Sequence, residues 1–343
     1  MFRVRSELDG QEFGDADAVS LMPLLRPIYD AHVQEALNDV PRVGGFVDVG
    51  ANVGDVTASV LAFFSDHHRR FYRHLLTAPA AGPPLLDHVH HLQSEEALAF
   101  VVTVEASPPT LELLRRRAEG GAWEALSGVR VVHAAVVNDT AGGAATFCHY
   151  RAGSDQSSLL PGGRSGAVKG GDGERNCTRV PVATLVDLVG DGERVFLLKV
   201  DVEGAEAAVL AGGAALFKAQ RVSFVVFENH SKWRAQQEVM RPGAPFVSVG
   251  DVAAWMKGWG YDCWYIHALG LIPFEVAGTP GGERERADCG EGLPWCARAR
   301  LYDRQFWSNV LCAAMPAERG WMEWLADAAV RPGVTKRGLL REE

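Results

Sequence analysis

Two apolar runs in the sequence carry ionisable side chains in positions where a reaction could use them. The first is Leu198-Lys199-Val200-Asp201-Val202-Glu203-Gly204-Ala205-Glu206. Alternation on a strand puts Lys199 and Asp201 on one face, with apolar neighbours on the other. A charged pair inside a buried sheet is costly unless each member is partnered, so this pair is either a structural ion pair or part of a site. The second run ends in Phe227-Glu228-Asn229-His230. If the two runs are neighbouring strands, Asp201, Glu203, Glu228 and His230 converge on one pocket beside Lys199. Such a set suits removal of a proton from a weak nucleophile. His230 has the ordinary pKa closest to neutrality, and Asp201 or Glu228 serve instead if burial raises them. A magnesium ion held by Asp201, Glu203 and Glu228 is the second reading. It ranks lower because Lys199 already balances charge, and no metal is assigned.

A third run, Phe46-Val47-Asp48-Val49-Gly50-Ala51-Asn52-Val53-Gly54-Asp55, passes from a buried strand through a glycine turn into a helix. That arrangement makes a nucleotide-type pocket at the carboxyl end of a strand, where Gly50 and Gly54 let backbone come close to a ligand. Asn52 stands where a dinucleotide fingerprint has glycine, which weighs against a pyrophosphate cradle. The next strand ends in Glu105, whose carboxylate can accept hydrogen bonds from both ribose hydroxyls. Ala106 follows it directly, and Ser107 with Pro108 and Pro109 reads as a helix start. Asn138-Asp139-Thr140 comes after the third strand, where folds of this type hold an adenine.

The elements that must position these groups alternate. Strands are expected at Phe46–Val49, Phe100–Glu105, Val129–Val137, Val195–Val202, Val222–Glu228, Tyr261–His267 and Ser308–Met315. Helices are expected at Asp55–Phe64, Pro109–Glu119, Glu203–Phe217 and Val249–Gly258. This is an α/β, doubly wound, mostly parallel seven-stranded sheet. Residues 1–42 read as an N-terminal helical segment, 43–316 as the main domain, and 317–343 as a C-terminal helix and tail, with helix at Glu318–Val330. An insertion at 65–99 holds His67, His68, His74, His88, His90 and His91 without other metal-type ligands at useful spacing, so it reads as a solvated insertion. Thr146–Tyr150 looks like an extra strand. Arg151–Cys177, with the polar stretch Ser154–Leu159, reads as loop, and so does Pro280–Arg286. Trp255, Trp259, Trp264, Trp295 and Trp307 suit core filling better than sugar stacking.

The chain has 343 residues and a formal net charge of −9, so it carries no electrostatic footprint for nucleic acid. No apolar run reaches the roughly 20 residues of a membrane span. Met1-Phe2-Arg3-Val4-Arg5 leads into acidic residues instead of an apolar signal core. The cytoplasm is therefore the expected compartment, with the secretory lumen or an organelle as the alternative. None of the six cysteines forms a C-x-x-C pair. Free thiols are the preferred reading, and Cys289 with Cys296 is the pair considered for a disulfide.

Val47–Asp55, Thr103–Pro108, the Ser154–Leu159 loop, Val182–Leu188, Leu198–Leu210 and Val226–His230 together resemble the FkbM-type methyltransferases. The Lys-x-Asp-x-Glu-Gly-x-Glu element at Lys199–Glu206 is the most specific part. The resemblance implies a Rossmann-like methyltransferase fold, S-adenosyl-L-methionine as donor, and O-methylation of a hydroxyl on a sugar, glycan or other small molecule. It implies that Asp48, Gly50, Asn52 and Gly54 contact the methionine and sulfonium end, Glu105 the ribose, and Asp139 the adenine side. Ala106 and Asn138 count with them as donor contacts. Asp201 and Glu203 fall at the acceptor end, with His230 or Asp201 as base. A non-catalytic donor-binding protein and a nicotinamide-dependent oxidoreductase are the competing classes. Acceptor identity and oligomeric state are not written in the sequence.

Overall fold

The computed structural model describes residues 44–61, 100–120, 123, 128–141, 143–149, 158–160, 166–170, 173–229, 233, 236–238, 243–267, 270–274 and 308–314. Short runs rich in Val, Leu and Phe form its strands, because side chains of that kind suit a pleated surface covered on both faces. β1 (Gly45–Val49), β2 (Val101–Glu105), β3 (Val129–His133), β9 (Val195–Val200) and β10 (Val222–Asn229) are parallel neighbours. β11 (Asp262–His267), β12 (Gly270–Pro273) and β13 (Ser308–Ala313) complete a sheet ordered β12-β11-β13-β10-β9-β1-β2-β3. β13 runs antiparallel between β10 and β11. The seven expected strands are all present, and β12 adds an eighth at the edge.

Helices flank the sheet. α1 covers residues 55–61 as far as the described residues follow it. α2 is Pro108–Gly120, α3 Leu185–Leu188, α4 Glu206–Gly212, α5 Ala214–Lys218 and α6 Val249–Gly258. Thr184 with Asp187 and Ser248 with Asp251 form reciprocal capping boxes that start α3 and α6. Alternate residues of each strand feed two cores. Val47, Val102, Leu198 and Val225 pack on one face, and Phe46, Val101, Leu197 and Phe224 on the other.

A second, smaller sheet departs from expectation. β4 (Ala135–Val136), β8 (Gly173–Ala183), β5 (Ala144–His149) and β6 (Ser158–Leu160) lie side by side, and β7 (Gly166–Gly170) pairs with β8. The single strand expected over Val129–Val137 breaks at Ala134, and its last residues join this sheet. Much of Arg151–Cys177, expected as loop, is strand. Glycine and serine there suggest a turn by composition, but antiparallel pairing with β5 supplies the backbone bonds, and Leu159 enters a core opposite Phe147. Residues 151–157 lie outside the described set. The helix expected from Glu203 starts only at Glu206, because 203–205 form a turn, and the chain turns again at Gly213 before α5.

The cysteines also differ. Cys148 is bonded to Cys177 and Cys263 to Cys312, so these four are not free thiols. Each pair stands at directly opposed positions of antiparallel strands, a register that residue spacing alone does not reveal. Cys289 and Cys296, residues 1–42, the histidine-rich insertion, Pro280–Arg286, Trp295, Trp307 and the C-terminal helix lie outside the described residues. Trp264 is buried in the core on one face of the sheet, while Trp255 and Trp259 pack against the core on the other, Trp259 stacked on Phe217. No helix among the described residues is long and apolar enough to cross a membrane.

Candidate active site

Parity on the strands decides which side chains meet. Thr103 and Glu105 of β2, Asp48 of β1, Lys199 of β9 with Asp201 just beyond it, and Glu228 of β10 all follow the face shared by Phe46, Val101, Leu197 and Phe224. Four adjacent strands therefore deliver their polar groups to one side of the sheet, near their carboxyl ends.

The turn after β1 is fixed by protein contacts. Gly50 has φ +80°, and a Cβ there would stand 1.7 Å from the Asp201 carbonyl oxygen. Gly54 has φ +83°, and its Cβ would meet Leu114 and Trp123. Both glycines are thus demanded by packing inside the protein. Asn52, at φ +51°, donates its backbone N–H to Glu105 Oε2 at 2.9 Å. Ser107 N–H donates to Glu105 Oε1 at 2.7 Å. The glycine bend and the β2 carboxylate are therefore one unit. Burial outweighs these bonds and raises the Glu105 pKa to about 7. Ala106 accepts from His133 Nε2 through its carbonyl at 3.1 Å.

Asp48 is fully buried. Thr57 Oγ1 donates to its Oδ2 at 2.6 Å, and Lys199 Nζ stands 3.5 Å from its Oδ1. Lys199 reaches Asp201 Oδ2 at 3.2 Å and the Gly50 carbonyl at 3.5 Å. Burial opposes the charge on Lys199, but Asp201 and Asp48 outweigh it and hold the ammonium protonated.

Glu206 shapes the turn after β9. It is fully buried and accepts from Val202 N–H (2.9 Å) and Gly204 N–H (3.0 and 3.2 Å). Glu203 within that turn takes φ +58° and is half-buried. Burial raises Glu206 to about 8 despite the two amides. Glu228, half-buried and hydrogen-bonded to Asp201, is pushed far above the carboxylate range by burial and by the charges of Asp201, Glu206 and Glu203. Burial and the surrounding negative charge thus favour the protonated form of Glu228 beside Asp201. Asp201, Glu206 and Glu228 each bring an oxygen within 4.8 Å of the others. Glu206 thus stands in this group where the magnesium reading of the sequence had Glu203.

Asp48, Gly50, Asn52, Gly54, Glu105, Ala106, Lys199, Asp201, Glu203 and Glu228 are thus gathered at the ends of β1, β2, β9 and β10. Asn138 and Asp139 are exposed. Asp139 Oδ1 accepts from Ala141 N–H at 2.9 Å, and the backbone of Asn138 lies against Gly212 at the far end of α4. No contact joins either residue to the cluster among the described residues. His230 lies outside them. Sequence reasoning missed Thr57, Thr103, and Glu206 as the turn's anchor. The last was legible as the final member of the Lys199–Glu206 element, while the threonines carry no signal before the fold is known.

The geometry also fits a donor bearing hydroxyl and ammonium groups. Asn52 Oδ1 is buried without a partner beside Glu105, so acceptor atoms line the bend where hydrogen-bond donors would arrive.

Comparison with known proteins gives a family match to the methyltransferase FkbM domain over residues 48–263. No curated protein matches the chain. Among solved structures, the methyltransferase FkbM from Methylobacillus flagellatus is 13% identical, covering 66% of this chain and 55% of its own, with a TM-score of 0.31. An S-adenosylmethionine-dependent methyltransferase from Mesorhizobium loti is 12% identical, covering 84% and 97%, with a TM-score of 0.30. A likely methyl transferase from Burkholderia thailandensis, bound to S-adenosyl-homocysteine, is 13% identical, covering 86% and 76%, with a TM-score of 0.31. The chain spans about half the length of the Methylobacillus structure.

Proposed function

Because the chain belongs to the FkbM methyltransferase family, we propose that it transfers a methyl group from S-adenosyl-L-methionine to a hydroxyl of a sugar, glycan or other small molecule. The observation that carries this reading is the hydrogen bond from Asn52 N–H to Glu105 Oε2. It ties the bend after β1 to the carboxylate ending β2, so both sides of an adenosyl group meet fixed backbone and a fixed acceptor.

The donor, when bound, supplies a methyl group on a sulfonium, which leaves without further activation. What this chain must do is hold it and prepare the acceptor. Glu105 would accept from the ribose hydroxyls and Asn52 Oδ1 from the donor's methionine end, with Gly50 and Gly54 keeping the bend in register for both. Asp48 acts through its neighbours: Thr57 fixes one oxygen and Lys199 leans on the other. Asp201 is the general base. It would take the acceptor's hydroxyl proton as the methyl passes to that oxygen and the sulfur–methyl bond breaks to leave a thioether, while Lys199 and Glu228 keep its carboxylate oriented. Glu203, on the same turn, helps frame the acceptor. Asp201 sits in the described cluster, so it takes the role that the sequence divided between it and His230. Of the two compartments considered from the sequence, the proposal takes the oxidising one, because two buried disulfides persist there and are rare in a reducing cytosol.

Thermal melting with S-adenosylhomocysteine and with NAD, followed by transfer of labelled methyl to candidate acceptors, tests this. At a hundredfold excess over Kd, S-adenosylhomocysteine adds about 2.7 kcal/mol of stability and NAD adds none. Asp201→Asn and Glu228→Gln keep that shift and lose transfer by about a hundredfold or more. A protein stabilised by NAD alone would be an oxidoreductase. One stabilised by S-adenosylhomocysteine, yet inert with every hydroxylated acceptor, would be a donor-binding protein.

A further inference from the structure

The small sheet stretches over the strand ends that carry the site. At one edge β4 begins a single residue after β3. At the other edge Gln236, beyond the end of β10, donates its side-chain N–H to the Leu159 carbonyl of β6 at 2.7 Å. Between these anchors the sheet packs on the turns after β2 and β9. Its inward face is identified by its core: Phe147, Leu159 and Val180 pack with Ala205, Ala106 and Val202, which belong to the turns after β9 and β2.

Directly opposed residues of an antiparallel pair share a face, and faces alternate along each strand. Phe147 opposes Thr178, Cys148 opposes Cys177, and His149 opposes Asn176. Thr178 and His149 therefore project on the inward face with Phe147, and the Cys148–Cys177 disulfide projects on the other. His149 is only 8% exposed. Its Nδ1 and the Thr178 Oγ1 are both buried and have no hydrogen-bond partner. Asn52 Oδ1 is likewise buried without a hydrogen-bond partner, and Asp48 Oδ1 has only its 3.5 Å ion pair with Lys199. The orphans thus fall in two places, on the floor of the site and on the sheet above it. An unmet buried polar atom costs free energy that the protein alone does not recover, so each points to a missing partner.

We propose that His149 and Thr178 bind the methyl acceptor, a neutral compound with at least two hydroxyl groups, by holding a hydroxyl that does not react while another faces Asp201. This rests on the methyltransferase reading. The chemistry of the pair selects the class. A threonine hydroxyl donates and accepts, and a neutral imidazole nitrogen does either according to tautomer. Burial lowers the His149 pKa, so the ring is uncharged near neutrality and offers no counter-charge to a carboxylate or phosphate. Diagonal neighbours on such a ladder stand roughly 7–8 Å apart, a span that a hydroxylated ring or short polyol can bridge. A site built this way rejects analogues that lack the bonded hydroxyl, because the protein groups are then left unpaired.

The test uses the full chain loaded with S-adenosylhomocysteine, with Thr178→Val and His149→Phe as variants. Thr178→Val preserves shape and removes an unpaired hydroxyl, so the free protein should melt at the wild-type temperature or about 2 °C higher. The side-chain nitrogen resonances of His149 should move when a set of methyl pyranosides covering both orientations of each ring hydroxyl is added. The apparent affinity read from that shift should fall at least tenfold in Thr178→Val, and calorimetry should find no saturable binding in His149→Phe. A Thr178→Val protein that melts several degrees lower would show that the hydroxyl already has a partner and would overturn the proposal. So would His149 resonances that stay fixed across the whole set. Wild-type protein that S-adenosylhomocysteine fails to stabilise would instead sink the methyltransferase reading itself.

Discussion

Under the proposed function, Glu105 is the residue whose protonation matters most for donor binding. Its pKa of about 7 lies above the ordinary 4.5, because burial penalises its charge more than the Ser107 and Asn52 amides favour it. In the free protein this group's contribution to stability is fully present below pH 4.5 and is lost as pH rises through 7. Ribose hydroxyls need the carboxylate as acceptor, so donor binding runs the other way. The Kd for S-adenosylhomocysteine should rise by up to tenfold for each pH unit below 7 and stay level above it. Calorimetry between pH 5.5 and 8.5 measures this, and a flat profile would remove Glu105 from the donor site. Glu105→Gln should bind weakly and without pH dependence over that range. Lys199 supplies a second case. Lys199→Met leaves Asp48 buried against Asp201 with no cation between them, which should cost about 3–5 kcal/mol in denaturant unfolding. Adding Asp48→Asn should recover part of that loss, and simple additivity of the two changes would show that the contact does not couple them. Both residues were legible in the sequence, since a lysine within an apolar strand and a carboxylate at a strand's end are chemically out of place. Whether Lys199 was a structural partner or part of a site was not legible. The answer lay in Asp48, which neighbours it only through the β1–β9 register.

At the scale of elements, two turns decide whether the carboxylates meet. The bend after β1 and the turn after β9 press against each other, with the Asp201 carbonyl under Gly50. Gly50→Ala would drive a Cβ into that carbonyl, and backbone cannot swing aside as a side chain does. Gly143, also at positive φ, has nothing within 4 Å of its Cβ position. Gly143→Ala should therefore cost only about 1–2 kcal/mol, while Gly50→Ala should cost several times more or abolish folding. Equal unfolding midpoints for the two variants would show that the contact at Gly50 is relaxed elsewhere. The turn after β9 depends on Glu206, whose carboxylate holds two backbone amides. Glu206→Ala leaves both donors buried and unmet, at about 1–3 kcal/mol each. These turns were readable because glycine spacing and the Lys199–Glu206 element are local features. The break of the third strand at Ala134 was not. Residues 129–137 are uniformly strand-like, and the switch between sheets is set by the pairing of Ala135 with Val182, nearly fifty positions away.

At the scale of the whole molecule, the two disulfides tie together parts that composition read as unrelated. Cys148–Cys177 closes the small sheet across 29 residues, and Cys263–Cys312 locks the antiparallel end of the main sheet across 49. Neither pair could be proposed from spacing, because both depend on strand register. The one pair that spacing did suggest, Cys289 with Cys296, falls outside the described residues. Chain-entropy arguments assign about 3.6 and about 4.1 kcal/mol to loops of these lengths. Full reduction should then lower the melting temperature by on the order of 10 °C. The loss should appear in steps as Cys148→Ala with Cys177→Ala and Cys263→Ala with Cys312→Ala are made in turn. The first pair bears on function as well, since it stiffens the sheet that presents His149 and Thr178. Removing it should weaken binding of hydroxylated ligands while leaving the S-adenosylhomocysteine shift in place. The second pair lies between β11 and β13, away from that sheet, and its loss should lower stability alone. Alkylation of all four cysteines in unfolded but unreduced protein would show that the bonds are not formed, and with them would go the argument for an oxidising compartment.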